Sequence, residues 1–162
     1  MQIDIGFRDV IYPGPQHTEM PTILNFQATI INAYSLESAI AEKFEAMIKL
    51  DALNSRMKDF YNIWLLSRQF NFSCKDLQKA IDLTLHNRKT VLQEELIPFS
   101  AMFILNKTTQ WNAFRNKMKS DTVPEDFSEV VSDIENFSQP AILGIRAQSD
   151  SDLQWEAPGP WK

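Results

Sequence analysis

Two charged side chains fall at positions where helical periodicity calls for apolar ones, and both are of types that handle phosphate chemistry. At about 100° per residue, Lys43 falls near the centre of an apolar arc made by Leu36, Ala39, Ile40, Phe44, Met47 and Leu50. Asp59 shares a face with apolar residues of the next segment, namely Ile63, Leu66 and Phe70. A charge inside an apolar stripe is costly unless it meets an opposite charge, a phosphate or a water-filled cleft. Lys43 and Asp59 are therefore the first candidates for a functional site.

Each of these residues also has a structural interpretation. Lys43 either pairs with a carboxylate inside the fold or faces a ligand, and the sequence leaves both open. Asp59 is either directed inward or is the late N-cap of a helix that starts at Phe60, because Asp is a common cap. Arg56 and Lys58 add two cations beside Asp59. The set suits the phosphates of a nucleotide, and it suits a buried salt-bridge network equally well.

The stretch from Tyr34 to Arg68 must position these residues, and it predicts two consecutive helices. Ser35 is a suitable N-cap for the first helix, and the second is expected to begin near Asn54-Ser55. A short connection makes the two helices antiparallel neighbours. The polar side of the first helix is predicted to carry Glu42, Glu45 and Lys49.

Before these helices, the pattern predicts short strands. Gln2 to Val10 alternates apolar and polar residues and ends at a Pro- and Gly-rich turn, residues 12–15. Further short strands are predicted over Pro21 to Leu24 and Phe26 to Ile31. A sheet this small leaves an edge open, so we predict self-association through the strand that bears Ile3, Ile5 and Phe7. Asp4 lies on the polar face of that strand, either as a solvent-facing carboxylate or as a metal ligand.

After Arg68, three further helices are predicted. The first runs from a cap at Ser73 to about Asn87. After a helical turn over Phe99 to Leu105, the second runs from Lys107 to Lys119, with a buried stripe of Trp111, Phe114 and Met118. The third starts at Pro124, ends at Gln139-Pro140 and buries Phe127, Val130, Val131, Ile134 and Phe137.

These elements predict an α+β chain that is mainly α, with short N-terminal strands followed by a helical bundle. Residues 1–33 are expected to form a partial sheet, 34–140 a helical region, and 141–162 an irregular tail whose Trp155 and Trp161 dock on the helices.

Composition narrows the function classes. The net charge of −5 gives no overall basic field that would draw the chain to nucleic acid, although a local cleft for RNA or a nucleotide stays open. The single cysteine, Cys74, forms no internal disulfide, which favours a reducing compartment. No apolar run reaches the roughly 20 residues that span a bilayer, and the first residues do not resemble a signal peptide. We therefore expect a cytoplasmic protein without a membrane partner.

The segments YSLESAIAEKFEAMIKL and NSRMKDFYNIWLL, with the short connection between them, resemble the nucleotidyltransferase-like AbiEii/AbiGii toxin family. QWNAF at residues 110–114 and QIDIGFRDV at the N-terminus are also similar to segments of that family. The resemblance implies a polymerase-β-like nucleotidyltransferase fold, transfer from a nucleoside triphosphate with Mg²⁺, and an antitoxin partner. It implies catalytic roles for Lys43, Lys58 and Asp59, nucleotide binding by Lys43, Arg56 and Lys58, and a metal-binding role for Asp4. RNA is one candidate acceptor.

The chain also departs from the family pattern. A Gly-Gly or Gly-Ser turn followed by an Asp-x-Asp strand is absent, and the family's KDxxD pattern reads KDFYN, with Asn62 in place of the second Asp. Asn retains a hydrogen-bonding oxygen but loses the charge. We therefore expect this chain to be the C-terminal portion of a nucleotidyltransferase toxin that is inactive in isolation. The alternative is a non-catalytic helical module, from a degenerate toxin gene, that binds a partner protein.

Overall fold

The computed structural model describes residues 10–20, 29–118 and 122–162. Within these ranges the chain forms five α-helices and two small antiparallel sheets. The helices are α1 (Leu36–Leu50), α2 (Met57–Gln69), α3 (Cys74–Arg88), α4 (Ala101–Met118) and α5 (Phe127–Ala147). The strands are β1 (Gln16–Met20), β2 (Thr29–Ala33), β3 (Phe72–Ser73) and β4 (Gln154–Trp155), and 3-10 turns occupy Asp51–Leu53 and Ile97–Phe99. The mainly α, α+β prediction is confirmed.

The N-terminal hairpin pairs β1 with β2, so that Gln16 lies opposite Ala33 and Met20 opposite Thr29. The sequence did not predict β1, because QHTEM has no apolar alternation and depends on β2 for its hydrogen bonds. β2 overlaps the end of the predicted strand Phe26 to Ile31 and extends it to Ala33. The predictions for Pro21 to Leu24, for nearly all of Gln2 to Val10, and for Asp4 lie outside the described residues.

Helix α1 begins where its cap predicts. The hydroxyl of Ser35 accepts a hydrogen bond from the Ser38 amide at 3.1 Å and donates one to the Tyr12 carbonyl at 2.8 Å. The buried face of α1, however, is rotated by roughly a quarter turn from the predicted arc. Glu45, expected on the polar side, is only 2% exposed. Lys43 consequently lies half-buried at the edge of the core rather than at its centre.

Helix α2 begins at Met57, slightly later than predicted. Asn54 is buried between the two helices, where its Oδ1 accepts a hydrogen bond from the Arg56 amide at 2.7 Å. Asp59 lies in the first turn of α2, so the prediction that it caps a helix starting at Phe60 is wrong. Its predicted inward placement is confirmed, since the residue is 5% exposed. Phe70, predicted on the same face, is instead exposed at the end of the helix.

Helix α4 is continuous from Ala101 to Met118, whereas the sequence predicted a short turn and a separate helix. No Gly or Pro interrupts this stretch, and the Ser100 hydroxyl accepts a hydrogen bond from the Phe103 amide at 3.2 Å at its start. Trp111 is fully buried as predicted, but Met118 is 42% exposed. The predicted apolar stripe is therefore buried only over its first part.

Helix α5 differs from the prediction at both ends. Asp126 caps it by accepting a hydrogen bond from the Ser128 amide at 2.8 Å, so the helix starts after Pro124. It continues through Pro140 to Ala147, although Pro140 was expected to end it. Proline removes one hydrogen bond from the helix, and burial of the segment beyond it outweighs that loss. The predicted buried face of Phe127, Val130, Val131, Ile134 and Phe137 is confirmed.

The C-terminal segment returns to the helices. β4 pairs with β3, so that Trp155 lies opposite Phe72. The Trp155 Nε1 donates to the Ser67 carbonyl at 2.6 Å, and the Trp161 Nε1 donates to the Phe137 carbonyl at 3.0 Å. The predicted docking of both tryptophans on the helices is confirmed.

One core joins the helices. α1 packs on α2 and α3, and α5 packs on α2, α3 and α4. An aromatic cluster occupies the α2–α4–α5 junction, with the Trp111 and Phe127 rings 5.1 Å apart and the Phe60 and Phe103 rings 5.8 Å apart. The first turn of α2, which bears Asp59, is thereby held on a rigid support.

Candidate functional site

Asp59 is a buried carboxylate with a local cationic partner. Its Oδ2 lies 2.7 Å from the Arg56 Nε, and its amide donates to the Arg56 carbonyl at 2.8 Å. The side chain of Asp59 is 7% exposed and that of Arg56 is 57% exposed, so the pair runs from the core to the surface. More than half of the Arg56 side chain therefore remains exposed to solvent.

Lys43 lies half-buried on α1. Its Nζ lies 3.4 Å from the Ala39 carbonyl, a bond within its own helix. The ion pairs formed among the described residues do not include one between Lys43 and Asp59. The direct pairing of Lys43 with Asp59, one of the open alternatives, is therefore not seen.

Burial raises the pKa of Asp59, whereas the positive charges of Arg56, Lys43 and Lys58 oppose that rise. The three predicted nucleotide-binding cations therefore all act on one buried carboxylate. These positive charges offset part of the cost of burying the Asp59 carboxylate.

Lys58 is exposed, and Asn62 is half-buried one turn further along α2. Asp4, the candidate metal ligand, lies outside the described residues. Within residues 10–20, 29–118 and 122–162, no three His, Cys, Asp or Glu side chains come together as a metal site. Magnesium favours carboxylates together with phosphates, and Asp59 supplies a single carboxylate that Arg56 already neutralises. The described residues do not by themselves form a Mg²⁺ site.

Sequence reasoning missed a second buried charge, at Glu45. Its Oε2 accepts from the Arg88 guanidinium at 3.0 Å, and its Oε1 accepts a hydrogen bond from the Thr90 hydroxyl. Lys49 lies 3.6 Å from the same carboxylate. These contacts join α1 to the end of α3. The sequence gives little sign that Glu45 is buried, because Glu45 lies among polar positions of α1. Its hydrogen-bond partners Arg88 and Thr90 lie more than 40 residues further along the chain.

A helix N-terminus can lower the pKa of a thiol, but the environment of Cys74 does not favour a reactive thiol. Although it opens α3, it is fully buried, and burial raises the pKa of its thiol. A protonated, enclosed thiol is a poor nucleophile.

Comparison with known protein families identifies the class of protein to which the chain belongs. Residues 1–133 match the family model described as nucleotidyl transferase AbiEii toxin, type IV TA system. The chain belongs to this AbiEii family, and the suspected resemblance is thereby confirmed. Membership in this family implies the nucleotidyltransferase fold and an antitoxin partner.

Searches of curated proteins and of solved structures found no match. Among the described residues, no helix combines the length and apolar character needed to cross a bilayer.

Proposed function

We propose that this chain is the helical, C-terminal portion of an AbiEii-type nucleotidyltransferase toxin, in which Lys43, Arg56 and Lys58 bind the phosphates of a nucleoside triphosphate. The main support for this proposal is the buried Asp59 carboxylate, because the positive charges of all three cations influence its pKa. The first 133 residues of the chain also match the family. We place the protein in the cytoplasm, and RNA is our first candidate acceptor.

In the proposed reaction, an acceptor hydroxyl attacks the α-phosphorus of the nucleotide. The bond from that phosphorus to the oxygen bridging to the β-phosphate breaks, pyrophosphate leaves, and the hydroxyl proton passes to water. Negative charge accumulates on the phosphate oxygens, and Lys43 and Lys58 neutralise it. Asp59 holds the Arg56 guanidinium in one orientation, so that the remaining N–H groups are aimed before the nucleotide binds.

Mg²⁺ supplies charge neutralisation in the family reaction, but the described residues do not form its site. The 162 residues also contain no Gly-Gly or Gly-Ser pair that would open the triphosphate turn. We therefore propose that the chain by itself binds a nucleotide and does not transfer it.

Two assays test this proposal. Calorimetric titration with ATP, GTP, CTP and UTP, each with and without Mg²⁺, is expected to show binding of at least one nucleotide. Lys43→Ala and Lys58→Ala should each weaken it about tenfold, the loss of one charge-assisted contact. Lys117→Ala, which changes an exposed lysine of α4, is the matched control and should leave binding unchanged.

The second assay incubates the chain with α-³²P-labelled nucleotides, Mg²⁺ and total RNA. Incorporation of label by the unmodified chain would refute the proposed inactivity.

The second candidate function is a non-catalytic module that binds a partner protein. Asn62 favours it, because the family pattern has a carboxylate at that position and loss of charge there weakens metal and nucleotide chemistry. Absence of binding to all four nucleotides would favour this candidate over the first.

A further inference from the structure

Helix α4 is 18 residues long, yet it buries only Phe103 and Trp111. Its inner face packs on α2, α5 and the second 3-10 turn. The opposite face is open and carries Met102 and Leu105, which are 66% and 72% exposed. Leu53, in the neighbouring 3-10 turn, is 86% exposed. Large apolar side chains grouped in this way mark an interaction surface more often than isolated ones do.

The open face of α4 has the spacing of a helix-pairing seam. Its exposed residues recur at intervals of three and four, at Met102, Leu105, Thr109, Asn112 and Asn116. None of the five is charged, and the three charged residues of α4, Lys107, Arg115 and Lys117, lie outside this row. Depletion of charge is characteristic of the centre of a protein interface. At about 1.5 Å per residue, the seam is about 21 Å long.

A groove of about 380 Å³ lies beside the seam. Its apolar lining includes Ala52, Ile97, Met102 and Phe103, and Glu95 and Lys107 add one negative and one positive charge. The same surface therefore offers both a protruding leucine and a recess for apolar side chains. A patch with one charge of each sign can meet its own copy without repulsion, whereas a patch of one sign cannot.

We propose that this surface, formed by the α4 seam and the adjoining groove, is a two-fold interface at which a second copy of the chain docks. In the dimer, Leu105 of each copy inserts into the groove of its partner, and the two α4 helices pair along their uncharged seams. The proposal does not depend on nucleotide transfer and differs from the predicted association through the strand of Ile3, Ile5 and Phe7.

Sedimentation velocity of the intact chain between 1 and 100 µM, bracketing a micromolar dissociation constant, tests the proposal. The expected result is a monomer–dimer equilibrium that Leu105→Glu weakens about a hundredfold, since a charge is placed in the apolar centre. Val91→Glu is the matched control, because Val91 is a comparably exposed aliphatic residue, at 70%, and does not line this groove. It should leave the equilibrium unchanged.

Two further variants make the test specific. Ile5→Lys distinguishes association through the predicted N-terminal strand from association through α4. If Ile5→Lys abolished the dimer while Leu105→Glu retained it, the proposal would be overturned. Met102→Glu changes an exposed residue that lines the same groove and should weaken the dimer as Leu105→Glu does. A strictly monomeric chain at 100 µM, the upper limit of the same concentration range, would also overturn the proposal.

Discussion

At the scale of single residues, the chain contains two buried carboxylates whose surroundings differ. Asp59 has one ion pair, with a mostly exposed arginine. Glu45 accepts from both Arg88 and Thr90 and lies close to Lys49. Removing one partner of a well-satisfied buried charge is strongly destabilising, whereas a poorly satisfied buried charge itself lowers stability and can be retained at a functional site.

The first prediction follows for Asp59→Asn, which should raise the free energy of unfolding at pH 7 by about 1 kcal/mol. The folded-state pKa of Asp59 is raised above its ordinary value of 3.8, so between these two pH values the folded state holds more protons than the unfolded state. Stability contributed by this group is therefore present below pH 3.8 and falls as the pH rises through the raised pKa. Urea unfolding of both proteins from pH 3 to pH 8 measures the difference.

The matched control is Glu45→Gln, which should have the opposite sign. It leaves the Arg88 guanidinium without its closest carboxylate and should lower the free energy of unfolding by about 2 kcal/mol at pH 7. If Asp59→Asn were as destabilising as Glu45→Gln, Asp59 would be a structural ion-pair residue, and its proposed role with nucleotide phosphates would lose its support.

At the scale of elements, the sequence predicted the start of a helix best where an N-cap residue directly precedes a helical repeat of apolar residues. The starts of α1 and α3 follow from Ser35 and Ser73, each of which accepts a hydrogen bond from an amide three residues on. α5 was predicted too short, because the rule that proline ends a helix is local, whereas the burial of Ala141 and Ile142 depends on tertiary packing.

In the candidate site, too, the local sequence pattern predicted some placements, whereas placements that depend on tertiary packing were missed. Inward placement of Asp59 was predictable, because Ile63 and Leu66 share its face of α2. Burial of Glu45 was not, because the face that α1 turns to the core is set by α3. That helix brings Arg88 to the carboxylate from more than 40 residues away.

Close packing of α3 against α5 gives the second prediction, for Gly144→Ala. A Cβ at this position would overlap the Gln78 side-chain amide and would lie 2.9 Å from the Ser149 carbonyl oxygen. We expect a loss of about 2 kcal/mol in the free energy of unfolding, despite the better helix propensity of alanine. Gly14→Ala is the control, since nothing lies within 4 Å of its added methyl group, and it should be nearly neutral.

Adding Gln78→Ala to Gly144→Ala should recover part of the lost stability, because the two side chains no longer overlap. A strictly additive double mutant would show that the clash does not operate through Gln78.

At the scale of the whole molecule, the folded unit extends beyond the part that matches the family. The match ends at residue 133, within α5, yet Phe137, Ala141 and Trp155 beyond it belong to the same hydrophobic core. The C-terminal segment brings Trp155 against Phe137, with ring centroids 5.0 Å apart, and pairs β4 with β3 beside the end of α2. Residues after 133 therefore complete the support on which α2 holds Asp59.

The last prediction tests that support through Trp155→Ala. Trp155 is 6% exposed, and its indole N–H donates to the Ser67 carbonyl of α2 at 2.6 Å. Removing the ring should cost about 3–5 kcal/mol, the usual range for a buried tryptophan, and should leave that carbonyl with one partner fewer. Leu153→Ala, two residues earlier and 38% exposed, is the control and should cost less than about 1 kcal/mol. The free energy of unfolding of each variant is measured from urea midpoints at constant m-value. A large loss in Trp155→Ala beside a small loss in Leu153→Ala would assign the residues after 133 to the folding unit. Equal and small losses in both variants would mean that these residues cover the helices without stabilising them.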